Sequence, residues 1–305
     1  MKSFKLVTGF TCNNSCKFCL DVMYRGKIKD KTFLEISNEL KLNRKKGAEG
    51  VDILGGEVFL RSDIFKIINL CRNLGYKHIL ITTNGYRCDN KDFIKKLINH
   101  GVSELRFSIH GHNSYLHDNL TGNKGNFVRI LKAIKNLYSL NFKNISVNTT
   151  IVKDNYVYLP NILKLLNTLK ISKWNIIYVG EYSLKYTPKI TNVLPYLLKC
   201  LRSENINILL INIPIPCFFI KYISKLEMPT EINNQYKKFI NYIYLPQELQ
   251  NLKNMKRQKI DNCKNCIINN KCDGIDISYI NKYGFEELKK INKYNSLEKL
   301  DHFLG

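Results

Sequence analysis

From the sequence we expect no segment that would direct the chain into or across a membrane. Its Lys-rich start, residues 1–5, leads into a strand-like segment and not into the apolar run of a signal peptide. The longest apolar run, residues 206–220, is interrupted by two asparagines and two prolines, which excludes a membrane-spanning helix. Ten cysteines without an export signal predict a cytoplasmic protein whose thiolates bind metals and do not form disulfides.

Acidic residues are scarce relative to basic ones. The chain has 48 Lys plus Arg against 25 Asp plus Glu, a formal net charge of +23. A charge of this size is compatible with a polyanionic partner such as transfer RNA. However, the lysines are dispersed, and the sequence lacks both a compact Arg-rich patch and the alternation of aromatic and basic residues typical of nucleic-acid modules. The charge alone therefore gives only weak support to a nucleic-acid partner.

Apolar strand patterns alternate with amphipathic helix patterns over most of the chain. Strands are predicted near 4–9, 50–54, 78–83, 103–109, 144–152 and 173–179, and helices near 31–46, 62–75, 90–100, 127–140 and 156–170. This alternation predicts an α/β fold with a parallel sheet and right-handed connections. We expect a partial (βα)6 TIM-like barrel over residues 1–205, with its site at the carboxyl ends of the strands.

Three cysteines lie within eight residues, directly after the first predicted strand. They are Cys12, Cys16 and Cys19 in the run Cys-Asn-Asn-Ser-Cys-Lys-Phe-Cys. A [4Fe-4S] cluster normally takes four cysteine thiolates, so three on one loop would leave one iron open to a substrate or cofactor. A three-cysteine zinc site and a chance cluster are the alternatives.

The spacing of these cysteines, with the aromatic Phe18 before the last one, resembles the signature of the radical S-adenosylmethionine (SAM) superfamily. The resemblance implies a [4Fe-4S] cluster held by Cys12, Cys16 and Cys19, with SAM at the open iron. It further implies reductive cleavage of SAM to methionine and a 5'-deoxyadenosyl radical, which removes a hydrogen atom from the substrate. Such chemistry needs a reductant, for example ferredoxin or flavodoxin.

A second motif follows the second predicted strand. Gly55, Gly56 and Glu57 resemble the family motif that receives the amino group of SAM, because two glycines permit close backbone approach and a carboxylate pairs with an ammonium. The family usually has a proline next, whereas this chain has Val58. An ordinary turn followed by a helix cap is the alternative.

Polar residues also occur at the ends of later strands. The segment from Ser108 to Phe127 is similar to one found in many members that modify peptides or small molecules. By the same resemblance, a SAM pocket would be lined by these strand-end residues, although each could instead cap a helix or satisfy a turn. The strand-end candidates are Thr83, Asn84, Ser108, His110 and Asn148.

A second group of cysteines lies near the end of the sequence. Cys263, Cys266 and Cys272 have a spacing that resembles the SPASM and Twitch modules, which hold auxiliary iron-sulfur clusters. The resemblance implies a Twitch-like module over residues 206–305 with one auxiliary [4Fe-4S] cluster. We select Cys217, in a proline-flanked loop, as its fourth ligand. A structural zinc site is the alternative.

These motifs predict a radical SAM enzyme, but they do not specify its substrate. Members of this architecture often modify ribosomally made peptides, so a peptide substrate ranks first, a small metabolite second and RNA third. A non-catalytic iron-sulfur or zinc scaffold protein is the alternative from another class. The site of hydrogen abstraction, the fate of SAM and the oligomeric state are not encoded in any motif.

Overall fold

The structure is a computed structural model that describes residues 2–178, 184–203, 205–211, 257–259, 261–265 and 274–285. The chain divides into two compact units. The first comprises residues 1–149, 161–175 and 205–207, and the second comprises 150–160, 176–204 and 208–305. The predicted domain boundary at residue 205 stays a prediction. No described helix combines the length and hydrophobicity needed to span a membrane.

Seven strands form one sheet, and their order in the sheet is their order in the chain. The first five pair in parallel, each with the next. An order that never reverses is that of a barrel and not of a doubly wound sheet, so the predicted partial TIM-like α/β barrel is confirmed. The strands are β1 (Ser3–Val7), β2 (Gly50–Leu54), β3 (His78–Thr83), β4 (Glu104–Ser108), β5 (Ile145–Ile151), β6 (Lys173–Tyr178) and β7 (Asn207–Ile211).

Helices connect the strands, as parallel pairing requires. All five predicted helices are present, while the helices Ser114–Thr121 and Ile190–Leu201 and the seventh strand were not among the predicted elements. A capping box between Thr32 and Glu35 begins the helix Phe33–Lys45, and the side chain of Asn90 caps the helix Lys91–Asn99. The helices are α1 (Phe33–Lys45), α2 (Ile64–Asn73), α3 (Lys91–Asn99), α4 (Ser114–Thr121), α5 (Asn126–Ser139), α6 (Leu159–Thr168) and α7 (Ile190–Leu201).

The two faces of the sheet differ in chemistry because side chains alternate along each strand. One face carries fully buried apolar residues, such as Ile53, Ile81 and Phe107, and forms the core with the apolar faces of the helices. The opposite face carries polar and charged residues, including Asp52 and Arg106. This polar face matters for the site described below.

The second compact unit contains a short C-terminal helix, α8 (Ile277–Tyr283), and a two-residue antiparallel pair, β8 (Arg257–Gln258) with β9 (Ile275–Asp276). The hydroxyl of Tyr279 accepts a hydrogen bond from the Ile190 N–H at 3.0 Å. The hydroxyl of Tyr283 donates to the Thr187 carbonyl at 2.5 Å. These bonds join α8 to the start of α7 within the same unit.

The predicted auxiliary-cluster ligands lie almost entirely outside the described residues. Cys217, Cys266 and Cys272 are not among them, whereas Cys263 lies half-buried in a short 3-10 helix, Asp261–Asn265. The Twitch-like module and its cluster therefore stay predictions. Cys71, Cys88 and Cys200 are fully buried in the core.

Candidate active site

The loop that carries Cys12, Cys16 and Cys19 follows β1 and packs against the loop after β2. The N–H of Gly56 donates to the Gly9 carbonyl at 2.9 Å, and the N–H of Glu57 donates to the Thr11 carbonyl at 2.8 Å. These bonds extend the β1–β2 pairing beyond the strand ends. They fix the first half of the cysteine loop.

The two motif glycines are required by this contact between loops. A Cβ atom on Gly56 would lie 2.1 Å from the Thr11 carbonyl oxygen, and one on Gly55 would lie 2.6 Å from the Gly9 carbonyl oxygen. Both distances are far below van der Waals contact, and the obstructing atoms are backbone. The sequence predicted that these glycines permit close approach to a ligand, whereas the structure shows close approach to the cysteine loop itself.

The second half of the cysteine loop is held by the end of α4. The N–H groups of Ser15 and Lys17 donate to the carbonyls of Thr121 and Leu120 at 2.9 and 3.0 Å. Gly122 ends α4 in the left-handed conformation at φ 62°, where a Cβ would lie 2.9 Å from the Ser15 carbonyl oxygen. The loop is therefore fixed from two sides by backbone groups.

The three thiols lie close enough to interact electrostatically. Burial, followed by the charges of Cys19 and Cys12, raises the pKa of the Cys16 thiol to about 12. Burial also raises the pKa of the Cys12 thiol, whose sulfur accepts from the Asn14 N–H at 3.4 Å. The Arg25 guanidinium opposes these shifts and lies 4.0 Å from the Cys19 sulfur. A cationic ligand would stabilise all three groups as thiolates.

The chemistry of this donor set fits an iron-sulfur cluster. Within the described ranges, no three His, Cys, Asp or Glu side chains come together as ligands of one ion. Ligands of one zinc ion must converge on a common centre, whereas the thiolates of a cube bind different irons and lie further apart. Cys12, Cys16 and Cys19 are three soft, half-buried thiols on one fixed loop, which is the donor type that iron-sulfur clusters bind.

Glu57 is buried and bonded to the protein itself. Its Oε1 accepts from the Phe59 N–H at 3.0 Å and from the Thr83 hydroxyl at 2.8 Å, while Oε2 accepts from the Asn84 N–H at 2.7 Å. Burial raises the pKa of this carboxyl to about 7, although these hydrogen bonds oppose the shift. The carboxylate thus ties the loop after β2 to the end of β3. Its pairing with the SAM ammonium stays a prediction.

Asn84 connects the end of β3 to the cysteine loop. Its Nδ2 donates to the Asn13 Oδ1 at 2.8 Å and lies 3.8 Å from the Cys12 sulfur. Its Oδ1 accepts from the Tyr86 N–H at 3.0 Å, which fixes the orientation of the amide. Thr83 and Asn84, predicted from sequence as strand-end residues, are thereby brought together with Glu57 and the cysteines.

Aromatic rings pack together beside the end of the cysteine loop. The Phe18 ring contacts His110 edge-on with centroids 4.7 Å apart, and His110 stacks on His117 at 5.9 Å. The His117 ring nitrogens face the His110 N–H at 3.1 Å and the Asn126 amide at 3.2 Å. Burial lowers the pKa of His117 to about 4 and that of His110 well below its usual value, so both rings are neutral at pH 7.

His117 and Asn126 were not identified as site residues from sequence. They belong to the segment whose similarity to other members was noted, and this similarity was the available signal. The Asp118 carboxylate, in the same segment, accepts from the Gly125 and Phe127 N–H groups at 2.7 and 2.9 Å. It therefore fixes the start of α5.

Ser108 and Asn148 lie side by side on β4 and β5, at the carboxyl end of the sheet. The Asn148 Oδ1 accepts from the Asn175 Nδ2 at 2.8 Å. Both predicted residues therefore lie on the polar face, on strands and not on the loops that contact the cysteine loop. Their side-chain oxygens could bind hydroxyl or ammonium groups of a ligand.

Charged residues line the polar face deeper in the sheet, and sequence reasoning missed them. Arg106 pairs with Asp52 at 3.0 Å and donates to the Ser146 hydroxyl at 3.1 Å. Glu104 pairs with Lys173 at 3.2 Å. The alternation of charged with apolar residues along β2 and β4 was the signal that could have identified this face.

The Glu104 carboxylate is ionised in this setting. Although burial opposes the change, hydrogen bonds from His78 and Ser146 and the charges of Arg106 and Lys173 lower its pKa to about 2. Closed barrels usually fill their interiors with branched apolar side chains. The polar face of this sheet, which carries charged side chains, instead suits a polar ligand.

Comparisons with known proteins place the chain in a family. The family model of the Radical SAM superfamily matches residues 6–166. GTP 3',8-cyclase of Mannheimia succiniciproducens is 30% identical over 147 residues, which are 47% of this chain and 43% of that protein. The AdoMet-dependent heme synthase of Oleidesulfovibrio alaskensis is 26% identical over 177 residues, 54% of this chain and 42% of that protein. The chain thus covers less than half of either relative.

Among solved structures, Streptococcus suis SuiB bound to the precursor peptide SuiA has a similar fold. The TM-score is 0.66 at 16% identity, over 97% of this chain and 75% of that chain. At this identity the likeness concerns the fold.

The bonding of Glu57 generates a prediction about stability. Glu57→Gln places an amide NH2 against backbone or hydroxyl donors, so it should lower the free energy of unfolding of the apo-protein by about 1–3 kcal/mol, as for an unsatisfied buried donor. Urea denaturation measures this change. The control is Glu49→Gln, which removes an exposed pair with Lys77 and should leave the free energy of unfolding almost unchanged, because surface ion pairs contribute little. Equal, small effects in both variants would contradict a bracing role for Glu57.

Proposed function

The chain belongs to the radical SAM superfamily, and on that premise we propose that it is an enzyme that cleaves SAM reductively and abstracts a hydrogen atom from a substrate. The observation that carries the proposal is the cysteine loop. Its three thiols are half-buried, electrostatically coupled and fixed by backbone contacts from two sides. A non-catalytic scaffold would not need a polar, charged face next to such a loop.

Cys12, Cys16 and Cys19 would hold the [4Fe-4S] cluster that the family implies, and SAM would take the fourth position on it. When bound, this cluster supplies the single electron that cleaves SAM to methionine and the 5'-deoxyadenosyl radical. Arg25 supplies positive charge beside Cys19 and opposes the rise in the pKa of the Cys12 and Cys16 thiols. Other residues of the protein would fix the loops of this site and exclude water from it.

The remaining residues of the site would hold its loops in place and bind SAM. Gly55 and Gly56 let the loop after β2 close on the cysteine loop, and Glu57 fixes it to Thr83 and Asn84. The neutral rings of Phe18 and His110 exclude water from the end of the loop. Ser108 and Asn148 offer oxygens for the hydroxyl or amino groups of SAM.

For the substrate we rank a ribosomally made peptide first. The architecture supports this ranking, since SuiB, which has a similar fold, has been solved with a precursor peptide. The polar face of the sheet, with Arg106, Asp52 and Glu104, suits a polar peptide segment. A small metabolite is the second candidate, because curated relatives that are 30% identical are named GTP 3',8-cyclase. RNA ranks third.

The C-terminal cysteines would hold one auxiliary [4Fe-4S] cluster. Cys217, Cys263, Cys266 and Cys272 give the four thiolates that a complete cube requires. A cube without an open iron would serve electron transfer or substrate positioning. A structural zinc site remains the competing assignment for these residues.

The cysteine loop is tested by single replacements. Cys12→Ala, Cys16→Ala or Cys19→Ala should each leave the cluster unbound or unstable and abolish 5'-deoxyadenosine formation from SAM, because a cluster needs these thiolates. Visible absorbance and product chromatography under anaerobic reducing conditions measure both effects. Cys71→Ala, which changes a buried cysteine on α2, is the matched control and should keep both. Substantial 5'-deoxyadenosine from the Cys16→Ala protein would overturn the proposal.

The auxiliary cluster is tested by metal content. Anaerobically reconstituted protein should bind about eight irons per chain, falling to about four when Cys263, Cys266 and Cys272 are replaced by Ala, since each cube holds four. SAM cleavage should survive that replacement. If protein as isolated carries about four irons and one zinc, and the same replacements remove the zinc, the module is a zinc site.

The substrate ranking is tested with a peptide encoded by a short reading frame next to the gene. Incubation with SAM and reductant should change the mass of that peptide, for example by two hydrogen atoms for a crosslink. A peptide whose mass stays unchanged in ordinary water but which takes up deuterium in heavy water would instead indicate epimerisation. The Cys16→Ala protein is the control. Should the peptide stay unmodified while GTP or another metabolite is consumed, the second candidate replaces the first.

A further inference from the structure

The segment that follows Cys19 exposes a concentration of apolar side chains. In the described part of the chain, ten large hydrophobic side chains are exposed, and five of them fall between residues 20 and 28. Val22 is 61% exposed and Ile28 is 49% exposed. Contiguous exposed apolar residues with a polar rim mark interaction sites. We call residues 20–28 the post-cysteine surface; its exposed apolar members are Leu20, Val22, Met23, Tyr24 and Ile28.

Basic residues surround this surface. Residues 17–31 contain five basic and two acidic residues, and the side chains of Lys27 and Lys29 are exposed. Of the acidic pair, Asp30 is turned toward the protein, where its Oδ1 accepts from the Phe10 and Thr11 N–H groups at 2.6 and 3.2 Å. Arg25 is turned toward the cysteine loop and Lys31 pairs with Glu39, so the exposed positive charge of the post-cysteine surface lies on Lys27 and Lys29, beside its apolar residues.

The surface is tied directly to the cysteine loop. Arg25, in its middle, donates from Nη1 to the Asn14 carbonyl at 2.7 Å, and its Nη2 lies 4.0 Å from the Cys19 sulfur. The Tyr24 ring packs on Phe10 with centroids 5.1 Å apart. A protein bound here would lie next to a predicted cluster ligand, which is where an electron must enter.

We propose that the post-cysteine surface is the docking site of an acidic one-electron carrier protein of the flavodoxin kind. The proposal rests on the proposed function, because it requires the cluster. In the docked complex the carrier is oxidised by one electron, the cluster is reduced by one electron, and no atom is transferred. The exposed apolar residues supply contact area, and the lysines steer an acidic partner. A second copy of this chain, at a net charge of +23, would be repelled.

Binding is the first measurement. Calorimetric titration of recombinant flavodoxin into the reconstituted full chain at about 50 mM salt should show a complex that weakens at about 300 mM salt, because ions screen surface charges. The variants Lys27→Glu/Lys29→Glu and Val22→Ser/Ile28→Ser should each weaken it about tenfold. The control Lys132→Glu/Lys135→Glu makes the same charge change on exposed positions of α5 and should stay within about twofold of wild type.

Reduction of the cluster is the second measurement. Dithionite is small and needs no docking surface, so the variants should form 5'-deoxyadenosine at the wild-type rate with dithionite and more slowly with flavodoxin. A wild-type protein that fails with dithionite would contradict the proposed function and not the docking surface. Three results would overturn the docking site: no binding of flavodoxin by wild type, equal binding by variants and control, or a wild-type dimer that Val22→Ser/Ile28→Ser dissociates.

Discussion

The candidate site depends on the hydrogen bonds that join the cysteine loop to the loop after β2. Glu57 donates its N–H to the Thr11 carbonyl, and Gly56 leaves the space that this contact needs. Without these bonds, an eight-residue loop with three cysteines would have many conformations, because it forms no helix or strand of its own. Because backbone atoms make the contact, the position of Cys12 follows from the pairing of β1 with β2.

Burial then determines the charge state of the groups around this loop. It raises the pKa of the Cys12 and Cys16 thiols and of Glu57, and it lowers the pKa of His110 and His117. Groups that could carry charge are thus held closer to neutrality beside the cysteines. Charge is concentrated instead on the polar face of the sheet, where Asp52 pairs with Arg106. The molecule therefore separates a desolvated cysteine loop from a charged face of the sheet.

The sequence was most informative where chemistry depends on residues close together in the chain. The spacing of Cys12, Cys16 and Cys19 and the alternation of strands with helices predicted the family and the fold. Partners distant in sequence were not predictable. Nothing in the local pattern joins Glu57 to Asn84, or Ser15 to Thr121, since these bonds form only after the sheet has assembled. The polar face of the sheet was missed because each strand was interpreted by its apolar residues alone.

The sequential order of the strands also affects how the protein is made. Each strand pairs with the one synthesised just before it, so the sheet can grow from its N-terminal edge as the chain leaves the ribosome. The cysteine loop emerges first, but the carbonyl groups of Leu120 and Thr121 that hold it come about a hundred residues later. At the ~5–20 residues per second of translation, the thiols stay unsupported for about five to twenty seconds. Delivery of iron to the nascent chain would therefore meet an unformed site until α4 has folded.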